Sequence, residues 1–209
     1  MSLITNWGYS LYDDDSFGAI LTVADFDLIT AGKYAADTRV PKLIDAATSA
    51  VRNYCGWHIS PSLVCSFTDT LLYGNGRIKQ VNNDLVIQLP ATMVSEIQAI
   101  YIDQTEFERY VLDNNGLVHL INLAHVASRI SRITVVYTAG VSAEMMAGVR
   151  ELIASRVVHG LSGTAGVASE TAGGVSISYA NAWVMGGGAG QLTSLDAETL
   201  KPYRLEGVF

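Results

Sequence analysis

Apolar residues change their spacing at Gly140, which separates a strand-like pattern from a helix-like one. Residues 132–137 alternate between the two faces of an extended chain, close to the period of two that a β-strand requires. Beyond Gly140 the apolar positions recur at three-to-four spacing, and Ser142 is a candidate N-cap. The pattern therefore predicts a strand, a tight turn and a long helix over 143–161.

The predicted helix over 143–161 has a narrow polar side. Its polar stripe consists of Glu144, Gly148, Glu151, Ser155 and His159. Apolar residues cover most of the remaining surface, whereas a surface helix of a monomer normally has a wider polar face. Either the helix lies centrally in its own core, or it packs its own core on one side and another subunit on the other. We expect the polar stripe to stay in water or to meet polar partners.

Two shorter helices are predicted near the N-terminus, within 21–56. Thr22 followed by Asp25 resembles a capping box and starts a helix that runs to about Ile29. The second helix covers about 40–54, with a proline in its first turn and Gly56 just past its end. Residues 1–20 show no periodicity and are expected to be irregular.

Between 57 and 137 the periodicity becomes strand-like. About five or six short strands are predicted, joined by short turns, which favours an antiparallel arrangement. One hairpin is expected to join 63–72 to 77–81 through Gly74-Asn75-Gly76, and a second to turn at 113–116. The region is thus predicted to be a β region inserted between helices.

Glycine dominates the segment over 162–192. Residues 160–190 hold nine of the chain's 19 glycines and a single charge, Glu170. Within this stretch 174–180 alternates like a strand, which is suited to pairing with a neighbour's sheet edge or to forming an ordered hairpin. A short C-terminal helix capped by Thr193 or Ser194 is predicted within 193–209.

Composition limits the possible functions. The chain has 209 residues, 13 Lys and Arg against 20 Asp and Glu, and a net charge of −7, which argues against a protein that grips nucleic acid through its phosphates. No apolar run reaches the length of a membrane helix, and the N-terminus does not resemble a signal peptide. Cys55 and Cys65 are expected to be reduced cysteines in an intracellular protein.

The sequence shows no pattern of catalytic or ligand-binding residues. The glycine-rich stretches contain no lysine for a phosphate loop, and no GxGxxG opens a helix. The four histidines, His58, His119, His125 and His159, are scattered singly, and no ligand set for a metal is complete. We therefore expect no enzyme activity, no cofactor and no metal.

Together these elements predict an α+β fold: a helical core with an antiparallel β region inserted between its helices. Four stretches of the sequence also resemble the head–tail connector family of bacteriophages, whose members are also called head-completion or adaptor proteins. They are the helix pair at 21–57, the Leu-Pro, strand and Asp-Asn-Asn-Gly pattern at 89–120, the strand and turn at 133–142, and the glycine-rich strand with the terminal segment at 173–205. Relatives often carry a proline at the start of the long helix, and Val141–Glu144 has none.

The resemblance implies a single connector domain over 1–209 that assembles into a ring of identical subunits. The ring would join the capsid portal to a downstream neck or tail protein, and DNA would pass through its channel without specific binding. The protein would lie at the head–tail junction of the virion and in the host cytoplasm during assembly. Alternatives are a stopper or tail terminator, or a small α+β enzyme or ligand-binding domain.

In a ring, the long helix and the glycine-rich arm would contact a neighbouring subunit, and this setting favours the shared helix over the buried one. The predicted interface residues are Val149, Ile153, Val157, Val175, Ile177, Tyr179 and Trp183.

Overall fold

The fold is described from a computed structural model of the chain. The structure describes residues 7–12, 16–70, 76–113, 116–123, 130, 132–162, 169–172, 175–178 and 192–205. For residues 143, 169–172 and 175–178 the structure describes only the backbone.

The chain forms two compact units, each assembled from separate segments. The β unit comprises Met1–Gly18, Gly56–Ser142 and Tyr203–Phe209, and the helical unit comprises Ala19–Cys55 and Ala143–Pro202. The β segment is therefore inserted between two helical segments, which confirms the predicted α+β order. The expectation of one domain over 1–209 stays a prediction.

Four α-helices are found among the described residues. They are α1 (Val23–Ile29), α2 (Val40–Cys55), α3 (Ala147–Ser162) and α4 (Ser194–Leu200), with 3-10 turns at Ala143–Met146 and Lys201–Tyr203. The bounds of α1 and α2 match the prediction, and Gly56 has the positive φ of +79° that ends many helices. The long helix begins as the 3-10 turn, so its α-helical part starts four residues later than predicted.

Helix α3 packs against α1, α2 and α4 within the helical unit. Its buried residues are Val149, Leu152, Ile153, Ala154, Val157 and Leu161. These residues are spread around most of the helix because three other helices cover it. Burial within one chain therefore accounts for the narrow polar side, which does not require a second subunit.

The strands form two antiparallel sheets and one ribbon. They are β1 (Ser10–Leu11), β2 (Leu63–Asp69), β3 (Ile78–Val81), β4 (Asp84–Gln88), β5 (Val94–Ile102), β6 (Thr105–Glu106), β7 (Tyr110–Leu112), β8 (Leu117–Leu120), β9 (Ile133–Ala139), β10 (Ser169–Ala172) and β11 (Val175–Ser178). The five-stranded sheet has the order β1-β2-β9-β5-β6 and the four-stranded sheet the order β3-β4-β8-β7, while β10 and β11 pair with each other.

The core of the β unit lies on the inner face of the five-stranded sheet. Cys65 pairs with Tyr137 and Phe67 with Val135 across β2 and β9, and all four side chains are fully buried. Cross-strand neighbours share one face of a sheet, so these pairs form a continuous apolar layer. Leu85 and Ile87 of the four-stranded sheet are also fully buried.

One predicted hairpin is wrong. β2 and β3 were expected to pair across Gly74-Asn75-Gly76, but β2 pairs with β1 and β9, whereas β3 pairs with β4. The two strands belong to different sheets, so the glycine turn is a connection between sheets. The hairpin that β3 does form turns at Asn82 and Asn83, and Asn82 has a φ of +56°. The second predicted hairpin, at 113–116, is confirmed by the pairing of β7 with β8.

Two further expectations about strands are corrected. The N-terminal segment is not wholly irregular, because Ser10 and Leu11 form β1 opposite Ser66 and Cys65. Eight strands instead of five or six lie between 57 and 139 within the described part of the chain. The additional ones include β6, whose two residues are too few to show an alternating pattern.

Candidate interaction surfaces

The predicted interface residues fall into three groups in the structure. Val149, Ile153 and Val157 are 1%, 0% and 0% exposed, so these side chains have no surface open to another molecule in this conformation. Val175 and Ile177 lie in β11, one strand of the ribbon. Tyr179 and Trp183 lie outside the described residues. The structure therefore leaves the arm, but not the apolar side of α3, as a candidate for contact with a neighbour.

The polar stripe that the sequence defines lies on the exposed face of the long helix. Glu144, Gly148, Glu151, Ser155 and His159 are all exposed. Glycine at 148 leaves open space where a Cβ would stand, because no atom beyond its chain neighbours and the local helix backbone lies within 4 Å of that position. The expectation that this face stays in contact with water is confirmed for the single chain.

Two helices of the helical unit begin with the same capping device. At the start of α1, Thr22 Oγ1 accepts from the Asp25 amide at 3.1 Å, and Asp25 Oδ2 accepts from the Thr22 amide at 3.2 Å. At the start of α4, Thr193 and Asp196 repeat both bonds, at 3.3 and 2.7 Å. Each box satisfies backbone amides that a helix end leaves without partners.

Two arginines of α3 complete these capping boxes. Arg150 forms an ion pair with Asp25, while Arg156 Nη2 lies 2.9 Å from Asp196 Oδ2 and donates to Thr193 Oγ1 at 3.4 Å. The bonds from Thr22, followed by those from Arg150, lower the pKa of Asp25 below its ordinary value. Helix α3 thus holds the first turns of α1 and α4, and the second contact fixes the residue at which the glycine-rich arm ends.

These arginine contacts were not predicted from the sequence. The available signal was the repeated Thr-x-x-Asp pattern together with two arginines on the predicted long helix. Sequence spacing alone does not show that the two arginines meet the two capping boxes, because those contacts join residues 40 and 125 positions apart.

The β unit contains polar groups in apolar surroundings. Tyr137 is fully buried, its hydroxyl has no hydrogen-bond partner among the described residues, and burial raises its pKa well above the ordinary value. Burial likewise raises the pKa of the Cys65 thiol to about 12, which leaves the thiol protonated and unreactive at neutral pH. Desolvation lowers the pKa of Arg77, whose buried Nη1 likewise has no hydrogen-bond partner in the part of the chain that the structure describes.

His58 is a buried structural residue. It lies between the Tyr9 hydroxyl, 2.8 Å from Nδ1, and the carbonyl oxygens of Pro61 and Ala139, each 3.1 Å from Nε2. Two carbonyl acceptors require the proton on Nε2, and in the neutral ring Nδ1 then accepts from Tyr9. Both ring nitrogens are thus used in joining the N-terminal segment to the sheet.

Two small cavities open to the surface of the described residues. One, of about 190 Å³, lies beside α1 and α2 and is lined in part by Asp27, Tyr34 and Asp37. The other, of about 340 Å³, lies beside β6 and is lined in part by Glu106, Arg109 and Asn122. In the part of the chain that the structure describes, no group of three His, Cys, Asp or Glu side chains is arranged to hold a metal ion. Nor is any helix of that part both long and apolar enough to cross a bilayer.

Several strand edges of the two sheets are open. The outer strands are β1 and β6 in one sheet and β3 and β7 in the other, and both strands of the ribbon have a free side among the described residues. Open edges of this kind allow proteins to add a strand from another chain. The fold and these surfaces define the chain as an α+β protein with open strand edges.

The chain belongs to the head completion protein family. The family model described as "Head completion protein" matches residues 19–184, which includes most of both units. No curated protein matches the chain. The family is a structural one, so the chain is a structural protein of bacteriophage head assembly and is associated with the virion. This confirms the resemblance stated from the sequence.

Proposed function

We propose that this chain forms a ring of identical subunits that joins the capsid portal to the tail and extends the DNA channel. The observation that carries the proposal is the match to the head completion family over 19–184. A part that completes a head has to meet the opening through which DNA enters, and a symmetric opening calls for a ring of subunits.

The charge of the chain supports a channel that does not hold DNA. The net charge is −7, and a surface with this balance repels phosphate. DNA would then pass the ring without specific binding. In this proposal the subunit is made in the host cytoplasm, and it binds the portal first and a downstream neck or tail protein second.

The proposal is tested by mixing the purified chain with its portal protein. Multi-angle light scattering and negative-stain images are expected to show rings seated on the portal. The portal alone and the chain alone at the same concentrations are the controls. A strict monomer without affinity for the portal would contradict the proposal.

A second mixing experiment separates the proposal from the alternatives of a stopper or a tail terminator. The chain is added to isolated portal and to isolated tails in separate reactions. Binding to the portal supports the proposed position, whereas binding to tails alone would assign the chain to the tail side of the junction.

A further inference from the structure

Strand β3 has the longest open edge in the two sheets. It pairs with β4 on one side, and on the other side no strand of the described residues lies beside it. β3 has four residues, whereas the other three outer strands have two, two and three. Lys79, Gln80 and Val81 of this strand are exposed, so another chain can reach the edge.

The pairing with β4 determines which backbone groups of β3 face outward. The Gln88 amide donates to the Arg77 carbonyl at 2.8 Å, next to the pair Ile78 and Ile87. In an antiparallel ladder, hydrogen-bonded and non-bonded pairs alternate. The amides and carbonyls of Lys79 and Val81 therefore point to β4, and those of Ile78 and Gln80 point to the open side.

The ribbon in the glycine-rich arm has a matching edge. A two-stranded ribbon is marginally stable by itself in water, so a further strand beside it would stabilise it. Ala172 pairs with Val175, and two residues separate them in the sequence, so they form the bonded closing pair of the hairpin. By alternation, the backbone groups of Ser176 and Ser178 in β11 point away from β10.

Of the two ribbon strands, β11 is better suited to pair with another chain. Its sequence, Val-Ser-Ile-Ser, carries no charge and contains two β-branched apolar residues, which favour strands. β10 contains Glu170 and ends in alanine, both of which are depleted in strands.

We propose that β11 of one subunit pairs with the open edge of β3 in a second copy of this chain. Both strands have four residues, and each presents two residues whose amide and carbonyl face outward. Because the donor strand and the acceptor strand are different segments of the chain, the contact is heterologous, and a heterologous contact builds a ring when the rotation between neighbours closes. The inference thus rests on the proposed ring and names the contact that builds it.

Proline substitutions test the contact directly. Gln80→Pro and Ser176→Pro each remove one outward amide while leaving the ladder to the existing partner strand intact. Gln80→Ala and Ser176→Ala keep the amide and serve as matched controls. Each proline variant is expected to weaken ring assembly about tenfold or more, measured by light scattering with portal present. Circular dichroism of each variant verifies that the monomer is folded.

Crosslinking gives a second test that does not depend on proline. Gln80→Cys and Ser176→Cys are prepared as separate proteins, mixed, and treated with a short bismaleimide. Native Cys55 and Cys65 are buried, so the reagent is expected to reach the engineered thiols and not the native ones. A mixed dimer is expected on a denaturing gel. Mixing Ser176→Cys with Val111→Cys, which places the thiol on the exposed outer strand β7, is the control and is expected to give none.

The outcomes separate the two proposals. If the wild-type chain forms rings, and both proline variants form them equally well without a mixed crosslink, the strand pairing is overturned and the ring stands. If the wild-type chain stays monomeric with and without portal, the proposed function fails and the pairing fails with it.

Discussion

Among the glycines that the structure describes, Gly140 has the least room for a side chain. Its φ of +130° is a conformation that other residues rarely adopt. A Cβ at this position would lie 2.7 Å from the Ser62 Cα and 2.8 Å from the Pro61 carbonyl carbon. The neighbouring Val141 amide donates to the Ile59 carbonyl at 2.7 Å, which fixes the chain as it leaves β9.

We expect Gly140→Ala to destabilise the protein by at least about 2 kcal/mol, because backbone strain and overpacking add. Gly148→Ala is the matched control. Gly148 lies in α3 with a helical backbone and open space around it, so alanine should stabilise the helix by about 0.5–1 kcal/mol. Thermal unfolding followed by circular dichroism measures both. A neutral Gly140→Ala variant would show that the contact with 61–62 relaxes freely.

At the level of elements, α3 organises the helical unit through two arginines. The Arg156 and Asp196 side chains are 17% and 9% exposed, so their ion pair is screened from water far more than a surface pair. The contact holds the first turn of α4, a helix of seven residues that is too short to be stable alone. The docking of α4 therefore depends on this side-chain contact as well as on apolar burial at Leu200.

We expect Arg156→Gln and Asp196→Asn each to lower stability by about 1–3 kcal/mol, because each leaves a largely buried partner without its opposite charge. The double variant should cost less than the sum of the two, and the difference measures their coupling. Urea unfolding measures these changes in the free energy of unfolding, provided that all variants show the same dependence of that free energy on urea concentration. Arg39→Gln, which removes the exposed pair with Asp37, is the control and should change stability less. Strictly additive losses would rule out a direct contact.

At the level of the whole molecule, both ends of the glycine-rich arm are tied to α3. It follows the end of α3 at Ser162, and Arg156 of α3 holds the start of α4 where the arm ends. The contacts of α3 with α1, α2 and α4 join helices that lie outside the arm. We therefore expect the helical core to fold without the arm, whatever part the arm plays in assembly.

We expect deletion of residues 165–190 to leave a folded monomer that does not assemble. Deletion of 185–190 alone is the control, since it keeps the ribbon and Trp183 and should still assemble. Circular dichroism measures folding, and light scattering with portal measures assembly. Unchanged assembly of the larger deletion would show that the arm plays no part in the ring.

The local pattern predicted those elements that are long or that carry a strong cap. α2, β9 and the capped starts of α1 and α4 appear where the sequence places them, because periodicity and capping depend on neighbouring residues. The hairpin expected at 74–76 is wrong because strand pairing, unlike periodicity and capping, depends on residues far away in the chain. A glycine turn shows that the chain bends, but the sheet that each flanking strand joins is decided by distant partners.

By itself the sequence determined the α+β order, the bounds of α1 and α2, the polar stripe of α3 and the resemblance to the head completion family. Only the tertiary structure decided that Val149, Ile153 and Val157 are covered by their own chain, and that Arg150 and Arg156 meet two capping boxes. It also showed which strand edges have no neighbouring strand among the described residues. The physical reason is range: hydrophobic periodicity and capping are local, whereas burial, ion pairing and strand partnership join residues far apart in the chain.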